Sequence, residues 1–383
     1  MKQLGIYIHI PFCKSKCKYC DFVSFQGIEA KQDDYINCLI KEIEKQNWNE
    51  INKNYKVTTI YIGGGTPSFI ASEHIERILN VVKEKIKIEI DEKIETTIEV
   101  NPGTANKEKL TKYKKVGVNR LSIGLQSTNN KILKEIGRIH TYEEFLETYN
   151  LAKEVGFENI NVDLMLALPN QTIQDLKESL EKVIELNPNH ISVYSLILEE
   201  GTEFYNLEEQ GKLNLPSEEL ERQMYWYVKN KLEMAGYNHY EISNFAKTGK
   251  ESKHNTNCWN QEEYLGFGLA AHSYFENKRF SNTDKLDSYI KNINENNQEK
   301  NVEIHETQSI EDKKKEYMLI GLRKIEGVSI SKFKEKFIDN PIYLFKNELA
   351  TLVEEGLVEV DIDSIKLTHK GLDLANLVWE KFV

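Results

Sequence analysis

Cys13, Cys17 and Cys20 fall within eight residues, and three thiolates that close together can serve a single soft-metal centre. Between them Lys14, Ser15, Lys16 and Lys18 describe an exposed loop whose positive charge favours the thiolate form. Structural zinc takes four ligands, commonly in two separated pairs, and no second Cys-x-x-Cys or His-x-His occurs to complete such a set. An iron–sulfur cluster held by only three cysteines instead keeps one iron unsaturated and able to chelate a small molecule. Covalent heme attachment through Cys-x-x-Cys-His has no counterpart in the chain. Cys38, on an amphipathic stretch, reads as a small core residue.

A loop of this kind has to be carried by rigid elements. Six short β-branched runs (5–10, 58–62, 96–100, 120–124, 160–165, 191–196) alternate with helical patterns (33–46, 72–86, 107–116, 130–136, 142–155, 173–186). That is the order of βα units around a parallel sheet, and six fall short of a closed eightfold barrel. The expectation is an α/β fold, a partial (β/α)6 barrel of TIM type over 1–205, with its ligand site on the rim where the strands end. The cysteine loop follows the first run, Gly63-Gly64-Gly65-Thr66-Pro67 the second, and Glu99-Val100-Asn101-Pro102 closes the third. Glycines at 63–65 would let backbone approach a ligand that side chains would obstruct.

Past about 205 the alternation lapses into an α+β region over 206–383, with a strand-like segment at 237–246 and then a polar loop holding His254. The Asn/Glu/Lys-rich stretch 290–301 reads as a solvated loop or linker. From about 311 the order is three helical patterns, two strand-like runs and a closing helix, which resembles a winged helix. Residues 301–383 carry 12 Lys/Arg against 16 Asp/Glu, and the whole chain has a net charge of -11. Nucleic acid is therefore not an expected partner, and a protein-contact or lid role suits the terminal module better. No window approaches a membrane span, and five cysteines with three clustered suit a reducing, cytoplasmic setting.

Cys-x3-Cys-x2-Cys with Tyr19 before the last cysteine is the signature of radical SAM proteins, which bind S-adenosylmethionine (SAM) at the open iron of a [4Fe–4S] cluster. The run Ile6-Tyr7-Ile8-His9-Ile10-Pro11-Phe12-Cys13 resembles the oxygen-independent coproporphyrinogen dehydrogenase group of that superfamily. The likeness continues through GGGTP at 63–67, Arg120 to Ser127, Gly137-Arg138-Ile139-His140, Asn161-Val162-Asp163 and Tyr240 to Phe245. It implies that Tyr7, Tyr19, Gly64, Gly65, Thr66, Glu99, Gln126, Arg138 and Asp163 contact SAM, Asp163 suiting hydroxyls and Arg138 a carboxylate.

Two functions occur in that group, an oxidoreductase acting on coproporphyrinogen III and a heme chaperone. The oxidoreductase has a fourth cysteine two residues after the third and a long segment before the motif. Here Phe22 takes that position and 12 residues precede Cys13, so the resemblance points to the chaperone branch. That branch also carries His-Asn-x-x-Tyr-Trp, met here as His254-Asn255-Thr256-Asn257-Cys258-Trp259 with Cys258 in place of the tyrosine. Heme needs an apolar slot and an axial ligand, and His254 and His272 are the candidates. The resemblance thus implies a protein that binds heme and passes it to an acceptor, an unknown protein such as a membrane-associated respiratory one. The alternative is a radical SAM oxidoreductase acting on coproporphyrinogen or another tetrapyrrole.

Overall fold

The computed structural model describes residues 1–87 and 94–383. Strands β1 (Lys2–Ile10), β2 (Tyr55–Gly64), β3 (Glu95–Val100), β4 (Arg120–Gln126), β5 (Asn159–Leu166) and β6 (His190–Ser195) pair in parallel, in chain order. Both faces of such a sheet are covered, and β4 is accordingly buried along its whole length. The intervening helices begin and end where local chemistry tells them to. Thr141 with Glu144 and Thr172 with Asp175 form capping boxes, and Gly156, at φ 90°, closes the helix Tyr142–Val155.

Six further strands belong to the same sheet among the described residues. Antiparallel β7 (Asn238–Glu241) and β8 (Asn244–Ala246) extend it beyond β6. On the other side β9 (Glu263–Phe267) runs parallel to β1, followed by antiparallel β10 (His272–Phe275), β11 (Lys278–Asn282) and β12 (Val302–Thr307). One hydrophobic core runs from Leu4 to Ile293. The barrel sheet thus continues past residue 205, through β7 and β8 in the strand-like segment expected at 237–246 and through β9 to β12, which the sequence did not single out.

Two local expectations are corrected. His254 lies not on a loop but in a helix, Lys253–Trp259, capped by the Ser252 hydroxyl; Glu95 accepts the amides of Lys253 and His254 at 3.0 Å each. The polar stretch 290–301 is not a linker either: the helix Leu286–Asn294 begins before it and buries Leu286, Tyr289 and Ile293, against the helix Gln32–Lys45. Cys38, on that latter helix, is a buried core residue whose thiol meets the Ile290 carbonyl at 3.8 Å.

The terminal module has its own core, built on Met318, Leu322, Phe333, Leu352, Ile365 and Val378. Its sheet is β13 (Val328–Ser329), β14 (Val358–Val360) and β15 (Ser364–Leu367), laid among short helices. It is tied to the larger body by backbone bonds from Ile242 to Arg323 (3.1 Å) and from Ile325 to Tyr240 (3.1 Å). Among the described residues no helix is long and apolar enough to cross a membrane.

Candidate cofactor site

The cysteine loop is seated by the strands beneath it. Cys13 donates its amide to Phe25 and Phe25 returns one to Pro11, each at 2.8 Å, while Gly65 and Thr66 donate to Ile10 and Phe12. The β1–β2 pairing therefore runs on beyond the strand ends and delivers Cys13 against the glycine loop. A Cβ on Gly65 would lie 3.0 Å from the Cys13 sulfur and 2.9 Å from the Ile10 carbonyl, so only glycine keeps the sulfur approachable. Gly64, at φ +109°, would bring a Cβ within 2.6 Å of the His9 ring.

Cys13, Cys17 and Cys20 line one open cleft. Among the described residues no three His, Cys, Asp or Glu side chains converge on one ion-sized position. Three thiols lining one cleft suit a cluster whose separate irons each take one sulfur. The Thr66 hydroxyl reaches Cys13 Sγ at 3.4 Å, and Arg138 Nη1 lies 3.7 Å from Cys17 Sγ. Burial raises the Cys13 thiol above its ordinary value, although Thr66, Ser24 and Lys16 pull the other way, and pushes Cys20 up to about 11. Lys16 thus lowers these thiols less than burial raises them, and a metal would have to displace protons from them.

Tyr19, Gly64, Gly65, Thr66, Glu99, Gln126, Arg138 and Asp163 face the same cleft. Glu99 is held from two sides, by the Tyr61 hydroxyl at 2.8 Å and the Gly64 amide at 3.2 Å. Burial, with Asp163 adding to it, raises the Glu99 carboxyl to about 7 against the pull of those two donors. Gln126 sits where the β4–β5 register shifts, at φ 71°, in a left-handed conformation that glutamine rarely adopts. Arg138 spans the floor by bonds to Asn101 Oδ1 (2.9 Å) and the Gly124 carbonyl, and its Nε is buried without a partner. Asp163 accepts from Asn161 at 2.7 Å and from Ser122 at 3.2 Å, and burial raises its carboxyl too.

Cleft-lining Asn101, Ser122 and Tyr194 do not stand out as site residues in the sequence. For Asn101 the signal is present, in the motif that ends β3; Tyr194 stands near the end of β6, a rim position with no motif. Three candidates lie outside the cleft lining. Tyr7 donates to His9 Nδ1 at 2.9 Å and stacks on Tyr61. His254 is buried, with Nδ1 2.9 Å from the Thr59 hydroxyl and its ring against Tyr61, 5.1 Å between centroids. His272 is exposed at the start of β10 and stacks on His305 at 5.6 Å.

The cleft fits a cluster with SAM beside it. Three thiols stand along it, a glycine keeps one sulfur accessible, two carboxylates and an amide side chain supply polar contacts, and the unpartnered Arg138 Nε gives a spare donor. The family model of the Radical SAM superfamily matches residues 7–183, and that of the HemN C-terminal domain matches 309–374. A protein of Bacillus subtilis, "Heme chaperone HemW", is 40% identical over 381 residues, covering 98% of both chains. One of the same name from Lactococcus lactis is 41% identical over 388 residues, covering 100% of this chain and 98% of its own. Among solved structures, coproporphyrinogen III oxidase (HemN) of Escherichia coli superposes with a TM-score of 0.85 at 24% identity, over 100% of this chain and 90% of that one, a likeness of fold. With end-to-end identity to those relatives, the chain belongs to the HemW family of the radical SAM superfamily.

Proposed function

We propose that this protein binds heme and hands it to an acceptor protein, and that Cys13, Cys17 and Cys20 hold a [4Fe–4S] cluster whose open iron takes SAM. The observation that carries the reading is the 40% identity, end to end, to a relative named a heme chaperone. Phe22 in place of a fourth cysteine agrees with it. When bound, such a cluster supplies one-electron chemistry at the SAM sulfonium. The chain's own residues position that ligand. The Gly64–Gly65 backbone and Glu99 meet its amino group, Arg138 its carboxylate and Asp163 its ribose hydroxyls, with Gln126 beside them. Tyr19 and Thr66 complete the shell, and Tyr7 stands behind it against His9 and Tyr61.

Of the two candidate heme ligands, His272 is the one a porphyrin reaches without unpacking the fold, since His254 would have to leave Thr59 and Tyr61. On this reading residues 1–205 carry the cluster and SAM, His272 beyond them takes the heme, and the module from about 311 meets the acceptor.

Titration of the anaerobically reconstituted protein with hemin tests this, beside a parallel incubation with coproporphyrinogen III, SAM and reductant. A saturable Soret shift without decarboxylation is expected, altered by His272→Ala and kept by His254→Ala. Formation of protoporphyrinogen would replace the reading with that of a tetrapyrrole oxidoreductase.

A further inference from the structure

We propose that Tyr240 and His190 are positioning residues of the cofactor cleft, which fix the Asp163 carboxylate through Asn161. The inference rests on the reading that SAM occupies the cleft and adds to it a connection from the second half of the chain.

Four contacts make the chain. Ser252 donates its amide to the Tyr240 oxygen at 3.2 Å, and the Tyr240 hydroxyl meets His190 Nε2 at 2.7 Å. His190 Nδ1 meets Asn161 Oδ1 at 2.6 Å, and Asn161 Nδ2 donates to Asp163 at 2.7 Å. The two ends fix the direction of every bond between. The Asp163 carboxylate only accepts, so Asn161 turns its amide nitrogen to it and its oxygen to His190, whose Nδ1 must then carry the proton. Nε2 of the neutral ring is left to accept from Tyr240. Burial keeps His190 neutral, far below its usual value, as that arrangement requires. All the donors point one way, so each bond polarises the next.

The far end of this chain is not part of the barrel rim. Ser252 caps the helix that carries His254, and the Tyr240 carbonyl accepts from Ile325 of the terminal module. His190 has no exposed surface, and neither it nor Tyr240 lines the cleft. Replacing Tyr240 with phenylalanine keeps the ring and removes only the link.

The test measures SAM binding to the anaerobically reconstituted full-length protein by equilibrium dialysis, with the electron-spin signal of the reduced cluster as a second readout. Tyr240→Phe and His190→Asn, each checked for iron content and melting, should weaken SAM binding about fivefold, the worth of one neutral hydrogen bond. In an Asp163→Asn background Tyr240→Phe should do nothing further, because its effect passes through that carboxylate. Wild-type binding in both variants, or losses that simply add to that of Asp163→Asn, would overturn the inference while leaving SAM in the cleft. Unchanged binding in Asp163→Asn alone would instead remove the placement of SAM against Asp163, and the inference with it.

Discussion

Glu99 shows how much of the cleft's chemistry is set by burial. Its carboxyl stands near 7 in the folded chain, above the 4.5 of an exposed glutamate. Between those values the folded state holds the proton more tightly than the unfolded one, so stability falls as pH rises through that window. Glu99→Gln removes the ionisation, and at pH 8 the ligand-free protein should gain on the order of 2 kcal/mol, with a flatter dependence from pH 5 to 8. Urea denaturation at several pH values checks this. A steeper pH dependence in the variant would contradict the burial argument. SAM, which brings a positive charge, should lose affinity in the same variant. The cysteines and the glycine loop were legible in the sequence because each sits in a spaced motif at a strand end, whereas Glu99 and Asp163, the latter in the middle of β5, stood out as SAM contacts only through the family resemblance. Asn161, His190 and Tyr240 reveal their joint role only once the sheet brings residues far apart in sequence into one line.

At the scale of elements, the loop that follows β2 is shaped by a lysine outside it. Lys109 Nζ donates to the carbonyls of Ser68 (2.8 Å), Phe69 (3.4 Å), Ile70 (3.0 Å) and Thr104 (3.1 Å). Burial lowers its pKa, yet four carbonyl dipoles compensate the charge. Lys109→Met should strand those carbonyls and cost about 2 kcal/mol, and weaker SAM binding should follow as Gly65 and Thr66 lose their support. Thermal denaturation and SAM dialysis read the two effects; wild-type values of both would show that the loop holds itself. The βα units were legible to within a few residues, as in 72–86 and 142–155, because their apolar periods are helical and, in the second, the capping box agrees. The helix Lys253–Trp259 was not. Its seven residues are mostly polar, and its placement depends on Glu95, over 150 positions earlier in the chain.

For the whole molecule, the junction between the body and the terminal module turns on Arg323. Its guanidinium lies between Trp259 and Trp379, 4.5 and 5.1 Å from the ring centroids, and it offsets the buried Glu241 carboxylate. Trp226 adds a second tie, donating to Asp373 at 2.7 Å and lying flat on His369. Arg323→Ala should weaken the junction by about 2 kcal/mol. Amides of 310–383 should then exchange faster with the cluster unaffected, and unchanged protection would show that the backbone bonds alone hold the module. The winged order of this module was visible in the sequence, whereas its docking on the helix of His254 rests on contacts between distant segments that no local pattern carries.

The proposed cofactor chemistry requires three thiols to leave one iron of a cluster open to SAM, and metal analysis with electron-spin spectroscopy of anaerobically purified protein tests that directly. The expected result is about four irons and four sulfides per chain, a reduced-cluster signal that changes when SAM is added, and loss of both metal and signal in the Cys13→Ala, Cys17→Ala, Cys20→Ala triple variant. Iron retained by that variant, or a wild-type signal indifferent to SAM, would contradict it.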